Sequence, residues 1–169
     1  MSRKNAVPVL RRQIILAALC VTAMGSVEAA PVKIEAVISP KAESKLEFVD
    51  GSKRYLLATQ REGMTVGNGP LAGATMLEWG VHDVRPGTGA HGNGYLVFTA
   101  ADGDIAYLKY QFRALWVPVG ERKTDILING HWEVVGGTGK FQGLRGAGTA
   151  QIKRLSPKER QWILEGDLL

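Results

Sequence analysis

The chain has 169 residues, with 21 Lys and Arg against 16 Asp and Glu, a formal charge of +5 and a single cysteine. Residues 1–29 contain four of the cations, one of the acids and the cysteine, so residues 30–169 alone carry a charge of +2 and no thiol. That composition excludes a disulfide scaffold, a Cys-ligated metal site and a cysteine nucleophile in residues 30–169.

The N-terminal segment has the features of a secretory signal peptide. Four basic residues precede an apolar run over residues 14–24, and small residues surround Ala29. The run is too short for a helix that crosses a bilayer of about 30 Å. We therefore expect cleavage near Ala29, a periplasmic or extracellular mature domain of a bacterium, and no stable membrane insertion. The Arg11-Arg12 pair leaves Sec and twin-arginine export both open.

Short alternating segments separated by glycine-containing turns follow the signal segment. Residues 30–44 are expected to form an N-terminal arm or an extra strand, and 85–94 a glycine-rich loop at the rim of the fold. Strands are predicted over residues 45–50, 53–61, 74–83, 94–99, 106–114, 126–135, 148–155 and 160–166. Asp50-Gly51 and Asp102-Gly103 are typical hairpin turns between neighbouring strands.

The spacing of these elements predicts the fold class. No window of a dozen residues after Ala29 shows a helical period, and turn signals recur every eight to twelve residues. This pattern is typical of all-β proteins. We expect a small closed antiparallel β-barrel of about eight strands over residues 45–169, because closure leaves no exposed strand edge.

The densest glycine cluster covers residues 136–146. A phosphate-binding loop ending at Lys140 would need glycine at position 134 and Ser or Thr at 141, where the chain has Val134 and Phe141. A dinucleotide-binding motif starting at Gly137 would need glycine at 142. The alternative is a tight connection between two strands, in which Phe141 folds back as an apolar plug. Its turn residues are Gly136, Gly137, Thr138, Gly139 and Phe141.

This segment resembles the GGTGxF motif of the allene oxide cyclase and dirigent families. The match covers Gly136 to Phe141, and strand spacing extends the resemblance more loosely from Lys45 to the C-terminus. The resemblance implies an eight-stranded barrel, often a homotrimer, that works without a metal or organic cofactor. In these families the barrel holds a fatty-acid epoxide during its cyclisation or orients phenoxy radicals. The acidic residues that do this work in those families have no counterpart that the motif identifies here.

Two pairs of polar residues are candidates for a site within such a barrel. Glu78 and His82 share one face of their strand, with Gly80 between them, and His131 and Glu133 share one face of another. Each pair can face either solvent or the interior, because a shift of one residue reverses the face. If buried, Glu78 or Glu133 is the candidate catalytic carboxylate.

Three further residues could contribute to ligand binding. Trp79 and Trp132 can wall an apolar pocket or pack in the core or at a subunit interface. Arg113 ends the clearest strand and can meet a ligand carboxylate or face solvent.

Two other kinds of site are not expected. His82, His91 and His131 are too widely spaced to form a local metal-ligand pair, so no metal is predicted. The basic residues at 153–154, 158 and 160 are too sparse for a nucleic-acid surface.

Three functions remain open from the sequence. The first is an exported barrel that binds a small apolar or aromatic compound. The second is a cofactor-independent isomerase, cyclase or stereo-directing protein, in which a buried carboxylate stabilises developing charge. The third is a structural or partner-binding envelope protein whose interior is filled by side chains.

Overall fold

The computed structural model describes residues 29–118 and 124–169, so the predicted signal segment lies, except for Ala29, outside the described residues. The eight strands are β1 (Ala30–Glu47), β2 (Tyr55–Gly67), β3 (Thr75–Arg85), β4 (Gly89–Thr99), β5 (Ile105–Pro118), β6 (Thr124–Gly137), β7 (Gly146–Arg154) and β8 (Arg160–Leu168). One turn of 3-10 helix, Gly139–Phe141, lies between β6 and β7.

The strands form a closed antiparallel barrel in chain order, which confirms the predicted fold class. Each strand pairs with the next, and β8 returns to pair with β1 from Ala30↔Leu168 to Ile38↔Arg160. Residues 30–44 are therefore part of a barrel strand, and the barrel begins at Ala30. No helix in the described parts of the chain is long and apolar enough to cross a membrane.

The predicted glycine-rich loop at residues 85–94 is mostly strand. Only residues 86–88 form a turn, and β4 begins at Gly89. Three of the four glycines of this segment, at positions 89, 92 and 94, mark crowded strand positions, and Gly87 lies in the turn. A Cβ at Gly94 would collide with the backbone carbonyl of Trp79 on β3, and one at Gly92 would meet the ring of Phe112 on β5. High glycine content thus reflects close approach inside the sheet rather than a loop.

One end of the barrel, which we call the closed end, carries the 68–74, 100–104 and 138–145 connections and is filled with side chains. Phe141 and Leu71 are each 1% exposed there. The motif of residues 136–141 rests on the β4–β5 turn, because the Lys140 N–H donates to Asp104 Oδ2 (2.8 Å) and the Ile105 N–H donates to Thr138 Oγ1 (2.9 Å). The motif is therefore positioned to plug this end of the barrel.

The opposite end, which we call the open end, carries the 48–54, 86–88 and 155–159 connections. Here the interior is not filled, and polar side chains replace part of the apolar core. The buried polar residues of the described chain include Thr59, Arg61, Glu78 and His82, on β2 and β3. These residues separate the packed half of the barrel from a cavity.

Candidate functional site

The cavity lies inside the open end and has a volume of about 160 Å³. Its walls are mainly apolar and come from seven strands: Leu57, Val84, Ala90, Phe112, Ala114, Trp116, Ile126, Ile128, Ile152 and Trp162. An apolar cavity of about 150 Å³ is large enough to hold benzene. The space therefore fits a ligand with one ring or a short aliphatic body.

The floor of the cavity is a hydrogen-bonded group centred on Glu78. Its side chain is 1% exposed, and Oε1 accepts a hydrogen bond from the Tyr110 hydroxyl at 2.7 Å. His82 Nε2 lies 3.2 Å from the same oxygen and 3.4 Å from the Tyr110 hydroxyl. Two side chains from two strands thus converge on one carboxylate oxygen and leave the other oxygen without a hydrogen bond.

Arg61 on β2 faces Glu78 directly across the β2–β3 pair. Its guanidinium is 2.7 Å from Glu43 Oε1 and 3.6 Å from Glu78 Oε2, and the second distance is too long for a hydrogen bond. Two buried atoms, Arg61 Nε and Glu78 Oε2, have no hydrogen-bond partner among the described residues. Since a buried polar group without a partner costs about 1–3 kcal/mol, this pair marks a place where a donor and an acceptor from a ligand or water fit.

The electrostatics of the floor keep Glu78 ionised. Burial by itself raises the pKa of this carboxyl, but the hydrogen bond and charge of His82, the Arg61 guanidinium and the Tyr110 hydroxyl outweigh burial and lower the pKa below its ordinary value. Burial and the adjacent carboxylate raise the pKa of Tyr110. At neutral pH the floor therefore offers a carboxylate acceptor beside a neutral phenol donor.

Glycines make room for this group. A Cβ at Gly80 would meet the Tyr110 hydroxyl first, then His82 Nε2 at 2.9 Å and Glu78 Oε1 at 3.2 Å. A Cβ at Gly92 would meet the Phe112 ring and lie 2.8 Å from His82 Cδ2. The His82 and Phe112 rings are themselves in edge contact, with centroids 4.9 Å apart. The sequence Glu-x-Gly-x-His on β3 thus allows two side chains four residues apart to share one partner.

Two further arginines line the cavity. Arg154 ends β7 and Arg160 begins β8, and the two residues face each other across the strand pair. The Arg160 guanidinium donates to the backbone carbonyls of Ser156 and Glu159, each at 2.8 Å, which fixes its orientation. The cavity therefore has a polar floor, apolar walls and a basic side near the β7–β8 turn.

The structure brings only some of the predicted site residues to the cavity. Glu78 and His82 lie inside it, on the inward face of β3. Trp132 is buried, but its indole packs over the glycines of β7 and β8 and donates to the Thr149 carbonyl at 3.0 Å, outside the cavity wall.

The other four predicted residues point outward, so their expected places in an interior site are corrected. Trp79 is 52% exposed because it alternates with the inward Glu78, and Arg113 alternates with the inward Phe112. His131 and Glu133 flank the inward Trp132 in the same way, and both are exposed. A buried catalytic role for Glu133 is therefore wrong in this barrel, and Glu78 is the remaining candidate carboxylate.

Several cavity residues were not predicted from the sequence. Arg61 and Tyr110 complete the floor, and Arg160 lies on the basic side of the cavity. One signal was available for Tyr110, which shares the apolar face of the clearest alternating strand with Phe112. No local pattern identified Arg61, because its partner Glu78 comes from a different strand.

Metal-binding geometry is not found in residues 29–118 and 124–169. No three His, Cys, Asp or Glu side chains there lie close enough to hold a metal ion. His82 lies inside the barrel, whereas His91 and His131 are exposed on its outer surface.

Comparisons with known proteins give the fold but no activity. No family model and no curated protein matches the chain. A conserved protein of unknown function from Rhodopseudomonas palustris superposes with a TM-score of 0.55 and 11% identity, over 83% of this chain and 98% of that one. A protein of unknown function from Clostridium acetobutylicum gives 0.52 and 13%, over 82% and 98%. A pterocarpan synthase dirigent protein gives 0.49 and 13%, over 90% and 95%. The chain shares its barrel fold with the two bacterial proteins.

Proposed function

We propose that this protein is an exported barrel that binds one small apolar or aromatic molecule in the cavity at its open end. Export is inferred from the N-terminal sequence alone. The observation that carries the binding proposal is the pair of unpaired buried atoms, Glu78 Oε2 and Arg61 Nε, beside the 160 Å³ cavity. A polar pair of this kind beneath apolar walls is the usual composition of a small-molecule site, in which a few polar groups orient an apolar ligand.

The cavity also counts against the purely structural alternative, which predicts an interior closed by side chains. A cavity needs roughly 10–15 Å³ of accessible volume to hold one water molecule. The space at the open end is about ten times larger, and it lies next to well-packed side chains such as Trp162, which is 1% exposed. The cavity is therefore not the result of loose packing throughout the core.

A second candidate is a cofactor-independent isomerase, cyclase or stereo-directing protein of the allene oxide cyclase or dirigent type. The hydrogen-bonded Tyr110, Glu78 and His82 favour it, because a fixed carboxylate can stabilise positive charge that develops on a bound substrate. Glu78→Gln separates the two functions once a ligand is known. It abolishes turnover of the bound substrate in an enzyme, whereas in a binder it changes only the affinity for the ligand.

Native mass spectrometry of the protein purified from its own source tests the binding proposal. We expect the mass of the processed chain plus one small molecule. Ala90 lines the cavity, so Ala90→Phe should remove the bound molecule. Ala58 is exposed on the outer surface, so Ala58→Phe adds the same side chain and should retain it. A bare chain mass in the unmodified protein, under conditions that retain the ligand of a known binding protein, contradicts the proposal.

A further inference from the structure

The two arginines at the β7–β8 turn form an unusual pair. Arg154 and Arg160 are directly opposite each other across two antiparallel strands, and both line the cavity. Like charges at directly opposite positions of a strand pair are destabilising. Among the described residues, no carboxylate lies within ion-pair distance of either guanidinium, whereas nine other ion pairs are formed there.

The arginine on β8 has little freedom to avoid this repulsion. Its two hydrogen bonds to the carbonyls of Ser156 and Glu159 hold the guanidinium in place. Burial, followed by the charges of Arg61 and Arg154, lowers the pKa of Arg160. Positive charge is therefore concentrated at the side of the cavity, where a negative group would relieve it.

The arginines that line the cavity outnumber the carboxylates beside them. Arg61 is matched by Glu43 and Glu78, both within ion-pair distance. With Arg154 and Arg160 added, three arginines face two carboxylates, and His82, which also lines the cavity, adds no negative charge. A negative charge on the ligand would therefore reduce the excess of positive charge.

The floor makes a different demand on the ligand. The free oxygen of the ionised Glu78 accepts hydrogen bonds and cannot donate them. A ligand group that approaches it must therefore be a donor, such as a hydroxyl. Between this floor and the arginines, the rings of Phe112 and Trp162 and the side chain of Ile128 form an apolar wall.

We infer that the ligand is an organic monoanion with a one-ring or short apolar body, bound with its anionic group at Arg154 and Arg160 and with a hydroxyl at Glu78. This inference rests on the proposed function and defines the class of molecule that the cavity selects. The apolar body lies between the two polar ends, so the protein fixes both the position and the direction of the ligand.

Four matched probes test the inference by isothermal titration calorimetry on the chain without residues 1–29. They are 3-(4-hydroxyphenyl)propanoate, 3-phenylpropanoate and the primary amides of both acids, which keep the size and remove the charge. Each acid should bind about five- to tenfold more tightly than its amide, because it pairs with the partly exposed arginines. The hydroxyl should add about tenfold through the charged acceptor.

Variants of the protein test which residue causes the preference for acids and which causes the preference for hydroxylated probes. Arg154→Gln should remove most of the preference for acid over amide. Lys153→Gln makes the same charge change on the outward face of the same strand and should leave that preference intact. Glu78→Gln should reduce the advantage of the hydroxylated probes. If Arg154→Gln does not fold, the salt dependence of the unmodified protein serves instead, since the affinity of the acids should fall as NaCl rises and that of the amides should not.

Two outcomes overturn the inference. If the acids and the amides bind with equal affinity, the ligand does not need an anionic group. The proposed function still stands in that case if Ala90→Phe abolishes binding of the probes. No binding of any of the four probes also overturns the inference, while the molecule found by native mass spectrometry decides the proposed function separately.

Discussion

Replacing Gly80 by alanine should disrupt the floor of the cavity. The added methyl group would point into the barrel and meet the Tyr110 hydroxyl at a distance that real Cβ contacts do not show. It would also lie 2.9 Å from His82 Nε2 and 3.2 Å from Glu78 Oε1, so no direction of escape is free. The Tyr110 hydroxyl therefore has to leave its hydrogen bond with Glu78.

The cost has two parts. Losing a hydrogen bond to a charged acceptor removes about 1.5–3 kcal/mol. Inserting a methyl group into a packed interior costs about 1–3 kcal/mol more, because Tyr110 packs edge-on against Trp162 with centroids 4.9 Å apart. We expect Gly80→Ala to lower the free energy of unfolding by about 2.5–6 kcal/mol, a large fraction of the ~5–15 kcal/mol of a typical domain.

Urea unfolding followed by tryptophan fluorescence measures this change, with the midpoint lowered and the slope unchanged. Gly136→Ala is the matched control, because a Cβ there has nothing within 4 Å and should leave stability unchanged or slightly raised. Tyr110→Phe removes the hydroxyl with which the methyl group collides. The double variant Gly80→Ala/Tyr110→Phe should therefore be more stable, by about 1 kcal/mol or more, than the sum of the single changes predicts.

Two results would refute this reasoning. A Gly80→Ala protein that unfolds at the urea concentration of the unmodified protein would mean that Gly80 does not face the Tyr110 hydroxyl. Strict additivity with Tyr110→Phe would mean that the destabilisation has another source.

Three further predictions concern the two ends of the barrel. Because the pKa of Glu78 is lowered in the folded protein, its carboxylate stabilises the fold fully above about pH 4.3, and this stabilisation is lost as the pH falls through the folded-state pKa. Glu78→Gln should therefore flatten the acid side of the curve of unfolding free energy against pH, measured with urea. Gly139→Ala should destabilise by about 1–3 kcal/mol or more in the same assay, since Gly139 has a φ of +51° and its Cβ would collide with Asp104. Stability equal to that of the unmodified protein would contradict this. Phe141→Ala should cost about 3–5 kcal/mol yet leave the affinity of a cavity ligand unchanged by calorimetry, and a large loss of affinity would mean that the two ends are coupled.

Alternation along the chain was sufficient to predict the barrel. The face of β5 that carries Leu108, Tyr110 and Phe112 is inward, and the turn at Asp102-Gly103 joins β4 to β5 as expected. Both features depend on residues close in sequence, so a local pattern contains them. The number of strands followed because each turn signal separates one strand from the next.

The direction of β3 could not be predicted in the same way. Its more apolar face carries Trp79 and Val81 and points outward, whereas Glu78 and His82 point inward. Local hydrophobicity gives the wrong side here, because burial of Glu78 depends on Arg61 and Tyr110, which lie on other strands. Only the register across the sheet reveals such partners, and the register is not contained in the pattern of a single strand.

The polar floor divides the barrel into two parts that can change independently. Phe141, Leu71 and the apolar residues packed with them secure the closed end, on the side of the floor away from the cavity. Two residues of the cavity wall at the open end, Ala90 and Ile126, are only partly buried. Substitutions in these walls can therefore change the size of the accepted ligand while the folded barrel persists. A protein arranged in this way can acquire a new ligand in few mutational steps, and its relatives can differ in ligand while keeping one architecture.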